Sequence, residues 1–210
     1  MNIKIENIIL TGSWTTAFYL KDENQLKKGK LLATLPQLKR EWRVSFEFKA
    51  ESYGYHLQQL LHLTIGGRGV GSGKKYGDRT PAVWTDPTKG ILICSAVNNK
   101  VSFCGPPTKY FKPLPAAGEW AKIQVGQEKV GSKMIYSISI DGTQRFSIEN
   151  THPAEFENVK VFASSSWYAP LEGRIRNLRI ENKDDGKIFF CNIKDFRVSL
   201  PQLLYIYLCS

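Results

Sequence analysis

The chain has 210 residues, 42% hydrophobic and 23% charged, and its 29 Lys and Arg against 19 Asp and Glu give a formal net charge of +10. That is an ordinary globular composition, and no run approaches the roughly 18 apolar residues of a membrane helix. At this length one all-β domain around one core is the default, and the positive field favours acidic partners without naming any.

Met1–Leu20 lacks the charged start, compact apolar stretch and small-residue cleavage site of a signal peptide, and no Asn-x-Ser/Thr sequon occurs anywhere. No segment shows sustained helical periodicity, and Glu23–Lys30 and Tyr55–Leu61 are the only two places where a short turn of helix is compatible with the sequence. The clearest strand is Trp42–Lys49, in which Trp42, Val44, Phe46 and Phe48 alternate with Arg43, Ser45, Glu47 and Lys49. Further strands are expected over Leu60–Ile65, Ala82–Thr85, Ile91–Ala96, Val101–Cys104, Trp120–Gln127, Met134–Ile140, Gln144–Glu149, Val159–Ser164 and Arg174–Glu181. Asn98-Asn99 and Asp141-Gly142 tolerate the positive φ of a tight hairpin turn, so each predicts two antiparallel neighbours. The first hairpin sets Cys94 nearly opposite Cys104, placed either to bond or to stand as buried thiols; the other two cysteines are Cys191 and Cys209. After the turn at Asn182–Gly186 the chain becomes apolar. The expected organisation is one sandwich over residues 1–186 and a C-terminal extension over 187–210, serving as an edge strand, an interface segment or a tail.

Between Gly29 and Asn182 several elements follow in a particular order. They are Trp42-Arg-Val-Ser-Phe-Glu-Phe48, Gly118-Glu-Trp120 opening a strand, Tyr136–Gly142 ending in Asp-Gly, Phe156–Phe162, and Gly173-Arg-Ile-Arg-Asn-Leu178. This order resembles the concanavalin A-like lectin/glucanase superfamily, which includes laminin-G-like and pentraxin-like domains. The resemblance implies an all-β, antiparallel, two-sheet jelly-roll sandwich that serves glycan or protein binding and, in some members, glycoside hydrolysis. It implies an extracellular setting, which nothing else in the chain marks.

Function resides in the site and not in the fold. Glycoside hydrolysis needs two carboxylates flanking the scissile bond. The hydrolases' Glu-x-Asp-x-x-Glu cluster is missing, and Glu47 and Glu51 read as the wet face of a strand, so no enzymatic activity is expected. His56, His62 and His152 form no short ligand pair, which argues against zinc. Calcium stays open, with Asp184-Asp185 and Asn98-Asn99 as the oxygen-rich turns; no cofactor is assigned.

Gly66–Lys75 carries five glycines and the basic residues Arg68, Lys74 and Lys75, but lacks Walker spacing. It is either a connector or a loop that closes over an anion. Tyr76, Asp78, Arg79 and Trp84 then fall within nine residues, and Trp167 and Tyr168 lie in a second aromatic loop, Ser164–Pro170. Sugar sites combine flat aromatic faces with planar polar groups, so these six are the candidate ligand contacts. For Asp78, Arg79 and Trp84 the structural alternative is a local ion pair beside a core indole. The resulting expectation is a non-catalytic, lectin-like module for carbohydrate, acidic or sulfated glycans included. A laminin-G-style adhesion domain with acidic protein partners is the alternative, and a glucanase-type hydrolase or a nucleic-acid binder is remote.

Overall fold

A computed structural model describes residues 12–66, 75–105, 110–111 and 113–184. Arg68, Lys74 and the 187–210 extension lie outside these. Ser13–Asp184 form one compact unit.

In chain order the strands are β1 (Trp14–Leu20), β2 (Asn24–Gln25), β3 (Leu31–Leu38), β4 (Trp42–Ser52), β5 (Gln58–Thr64), β6 (Ala82–Asp86), β7 (Gly90–Val97) and β8 (Lys100–Cys104). They continue as β9 (Tyr110–Phe111), β10 (Trp120–Val130), β11 (Lys133–Ile140), β12 (Thr143–Glu149), β13 (Phe156–Phe162), β14 (Ala169–Pro170) and β15 (Glu172–Lys183). The first sheet runs β1-β15-β4-β10-β11-β12 with β2 on β15. The second runs β3-β13-β5-β6-β7-β8 with β14 on β5 and β9 on β7. Every pairing is antiparallel except β14 on β5. No helix occurs among the described residues, so none is long and apolar enough to cross a membrane. The helical turns expected at Glu23–Lys30 and Tyr55–Leu61 are therefore corrected: the first holds β2, and the second runs into β5.

Alternation builds the sandwich. Trp42, Val44, Phe46, Phe48 and Ala50 of β4 all point inward and are buried, as are Ile123 and Val125 of β10 and Ile175 and Ile180 of β15. They meet Leu61 and Leu63 of β5, Val83 of β6, Ile91 and Ile93 of β7, and Val159 and Val161 of β13. Each such side chain contributes about 1.5–3 kcal/mol when taken fully out of water. The Tyr136 hydroxyl on β11 meets Ser95 Oγ on β7 at 2.9 Å, tying the two sheets across the core. At one end Asn150 donates to Gln127 Oε1 at 2.8 Å and accepts the Asn98 amide at 2.9 Å.

Local chemistry sets the turns. Asn98 and Asn99 have φ of 53° and 57°, and Asp141 and Gly142 have 50° and 77°, the left-handed pair that a two-residue hairpin between twisted strands requires. Pro36 sits in β3, an edge strand, where a missing N–H leaves no ladder bond unmade on the open side.

At Gly173 β15 runs tight against β4: a Cβ there would lie 2.2 Å from the Lys49 carbonyl oxygen, a backbone atom. Gly173→Ala is therefore expected to cost about 2–3 kcal/mol of stability by forcing the strands apart. Gly131→Asn is the matched control, with φ of 62° and open space around it, and should change the urea midpoint little. Equal midpoints for the two variants would refute the close-approach account.

Candidate functional site

The outer face of the first sheet is wet and internally paired. Arg176 lies 3.9 Å and Lys49 4.8 Å from the centre of the Trp120 ring, and Arg43 stands 4.3 Å over Trp14. Glu47 accepts from Arg176 Nε at 2.7 Å and from Asn177 at 3.1 Å, and Glu51 accepts from Arg174 at 3.2 Å. Burial pushes the Glu47 carboxyl up, but those hydrogen bonds outweigh it and hold the group below its ordinary value. The hollow on this face, about 100 Å³ lined by Lys122, Gln124, Ser139 and Gly142, is small beside an ordinary ligand pocket of about 300–1,000 Å³.

The second sheet differs, because its middle strands β5, β6 and β7 are buried almost throughout. Their outer face carries two rows set by register. One row is His62–Ala82–Cys94–Cys104, across β5, β6, β7 and β8; the other is Gln59–Trp84–Leu92–Tyr110, across β5, β6, β7 and β9. A disulfide joins Cys94 to Cys104. Gln59 and His62 share this face although three residues apart, because an extra residue at Leu60 bulges β5 and reverses its phase.

Over these rows lie parts of two loops. Trp84, only 1% exposed, packs edge-on to Tyr168 at 5.5 Å, and the Arg79 guanidinium lies 5.3 Å from the centre of its ring. Trp167 meets the His62 ring edge-on at 4.8 Å. Arg79 donates to Ser102 Oγ and meets no carboxylate within ion-pair distance among the described residues. Ser165 donates through its amide to Gln59 Oε1 at 2.8 Å, which fixes the start of the second loop.

Four buried polar atoms gather here with no partner: Gln59 Nε2, His62 Nδ1, Arg79 Nε and Trp84 Nε1. The histidine is informative. Its Nε2 lies 2.7 Å from the Asp78 carbonyl oxygen, which only accepts, so Nε2 carries the proton. Burial, reinforced by the Arg79 charge and opposed by Asp78, pushes the ring's pKa down to about 4. The ring is therefore neutral and Nδ1 presents a bare lone pair. Three unused donors thus stand near one unused acceptor.

Of the residues singled out in the sequence, Arg79, Trp84, Trp167 and Tyr168 come together on this face. Tyr76 does not: its hydroxyl donates to the His152 carbonyl at 2.8 Å, and its ring packs on Phe156 with the main core. Asp78 is buried; its Oδ2 accepts the Lys75 amide at 2.9 Å, so it supports the loop while its carbonyl fixes His62. Lys75 is exposed. Sequence reasoning missed Gln59, His62, Leu92, Ser102 and Tyr110. Only the bulge and the strand register place them here. Among the described residues no three His, Cys, Asp or Glu side chains group closely enough to hold a metal ion.

Strand order and register can be set beside solved structures. The chain is similar to the CBM40 carbohydrate-binding module of the Ruminococcus gnavus IT-sialidase bound to α2,3-sialyllactose, with 11% identity and a TM-score of 0.52 over 79% of this chain and 92% of that one. It is similar to the leech intramolecular trans-sialidase complexed with 2,7-anhydro-Neu5Ac, with 11% identity and a TM-score of 0.50, over 84% of this chain but 27% of the enzyme. Domain 4 of an extracellular arabinanase from Geobacillus stearothermophilus, in complex with arabinotriose, matches 82% of each chain at 17% identity and a TM-score of 0.46. No family model matches the sequence, and no curated protein matches it. The fold is the concanavalin A-like jelly roll, an antiparallel two-sheet sandwich.

Neutral, buried His62 makes stability depend on pH. Its pKa is about 4 in the fold against an ordinary 6.5 in the unfolded chain, which therefore binds the extra proton between those limits. The contribution is complete above about pH 6.5 and falls away as pH drops towards 4, by up to about 3 kcal/mol. Glu47 and Asp86, held below 4.5 and 3.8, act only at lower pH. Melting temperature is expected to fall between pH 7 and 4.5, and to fall less in His62→Leu. Parallel pH profiles in the two proteins would assign the loss to other groups.

Proposed function

We propose that the outer face of the second sheet is a carbohydrate-binding site, and that the domain recognises glycans without cleaving them. The observation that carries this reading is the gathering of Gln59 Nε2, His62 Nδ1, Arg79 Nε and Trp84 Nε1, all unpaired, under two half-buried aromatic rings. Native proteins seldom leave buried polar atoms without partners, so a cluster of them calls for a polar group from outside. A sugar hydroxyl suits this set because it both donates and accepts: it donates to His62 Nδ1 while taking a hydrogen bond from Gln59 or Trp84. Trp167 and Tyr168 offer flat faces for the C–H side of a pyranose, and displacing the Trp167 indole from the His62 ring uncovers the row beneath.

Arg79 supports the finer reading of an acidic glycan. Its charge meets no carboxylate within reach among the described residues, and a guanidinium fork pairs with carboxylate or sulfate oxygens. The Ruminococcus gnavus module with this fold is bound to a sialylated sugar, an acidic ligand. The non-catalytic reading is supported by the nearby carboxylates. Asp78 holds the Lys75 amide, and Asp86 takes hydrogen bonds from Thr88 and Lys89 in its own turn, so these two carboxylates of the described residues are engaged within their own loops.

A glycan array probed with the whole chain is expected to show retention, strongest on glycans carrying carboxylate or sulfate. Trp167→Ala should weaken binding at least about tenfold, in line with the loss of one stacked ring and its contacts. Arg79→Gln should remove the preference for acidic glycans while neutral binding persists. Folded protein that stays silent across neutral and acidic glycans would end the proposal.

A further inference from the structure

Resting on that reading, we infer that Tyr55 is an outlying aromatic platform that extends the site to a second sugar residue. Tyr55 is 96% exposed and has no ring or hydrogen-bond partner among the described residues, although the loop around it is firmly held. The hydroxyl of Tyr53, before it, donates to the Pro115 carbonyl at 2.9 Å. The Gly54 amide donates to Gln58 Oε1 at 2.8 Å, and Gln58 Nε2 donates to the Pro170 carbonyl at 3.3 Å. Tyr53 is partly buried, and burial pushes its hydroxyl up to about 12. The loop is therefore braced on both sides by neighbours of Tyr55, and the Tyr55 ring takes no part in the bracing. Tyr19, an exposed ring elsewhere, is by contrast covered by Arg179 at 4.8 Å.

Topology puts this ring beside the site. β14 runs parallel to the start of β5, pairing Ala169 with Gln58 and Pro170 with Gln59. The segments that precede the two strands, residues 53–57 and 165–168, therefore leave the sheet at the same end. Leu57 packs in the same cluster as Trp84 and Tyr168. Tyr55 is two residues earlier, so its Cα lies within about 7 Å of that of Leu57. A fixed loop presenting a bare ring at the rim of an aromatic floor provides a second stacking surface at little cost in ordering.

The test is titration calorimetry on the full chain with two pairs of probes: free N-acetylneuraminic acid against 3′-sialyllactose, and a heparin disaccharide against a heparin hexasaccharide. The pairs separate carboxylate from sulfate as the acidic group, and length is the variable within each pair. Tyr55→Ala is expected to weaken the longer member of whichever pair binds by about tenfold and to leave the shorter member unchanged, and Tyr55→Phe should restore the wild-type ratio. If wild type binds and Tyr55→Ala lowers both lengths equally, or neither, the platform assignment is wrong while the site stands. Folded wild type that binds no member of either pair overturns the inference, and the reading on which it rests falls with it only when the glycan array is silent as well.

Discussion

Three strands of the second sheet, β5, β6 and β7, are buried on both faces, and the rest of the molecule is arranged around that constraint. A strand of an ordinary sandwich turns one face to the core and the other to water, as β4 does throughout its alternating stretch. β6 has no such wet face, so the chain must supply a cover. It does so with Arg79 from the β5–β6 connection, with Leu57 ahead of β5, and with Trp167 and Tyr168 ahead of β14. Covering a face removes the water that served its polar atoms. Each buried donor or acceptor left unpaired costs about 1–3 kcal/mol, and four of them meet in this one place. In the main core Tyr136 finds Ser95. Thr80 Oγ1, Thr85 Oγ1 and Ser164 Oγ are buried without a partner too; such departures from local optimality, where they concentrate, are what a functional site imposes on a fold.

Much of the architecture is legible in the sequence, and what is legible depends on chemistry acting over a few residues. The period-two pattern of β4 and the left-handed tolerance of Asn98-Asn99 and Asp141-Gly142 are properties of short segments, and the structure places them as strand and turns. β1 and β3 carry a weaker signal. Both lie at sheet edges, β1 is largely exposed, and Pro36 reads as a strand breaker until its edge position is known. The helical turn expected at Tyr55–Leu61 has a specific cause. Leu57, Leu60 and Leu61 follow the i, i+3, i+4 spacing of a helix face, but a bulge at Leu60 gives a strand the same spacing.

The candidate site divides along the same line. Arg79, Trp84, Trp167 and Tyr168 stand out by composition, since flat aromatic faces beside planar polar groups are what a sugar site combines. Gln59 and His62 do not, because their common orientation exists only once the bulge has reversed the strand's phase. Tyr76 shows the converse. It is eight residues from Trp84, yet it packs on Phe156 with the main core. Nearness along the chain says little about which face a residue joins when a loop and a strand separate the two.

Ala82, Trp84 and Cys94 form an apolar cluster that shares no residue with the large core between the sheets. Substitutions in separate clusters tend to add without coupling. The inner sandwich therefore acts as a chassis, and the loops above the second sheet can be exchanged or diversified without repacking what holds the chain together. A lineage built on this plan can alter those loops and keep its fold, and the same property makes the domain a practical scaffold for grafted specificity.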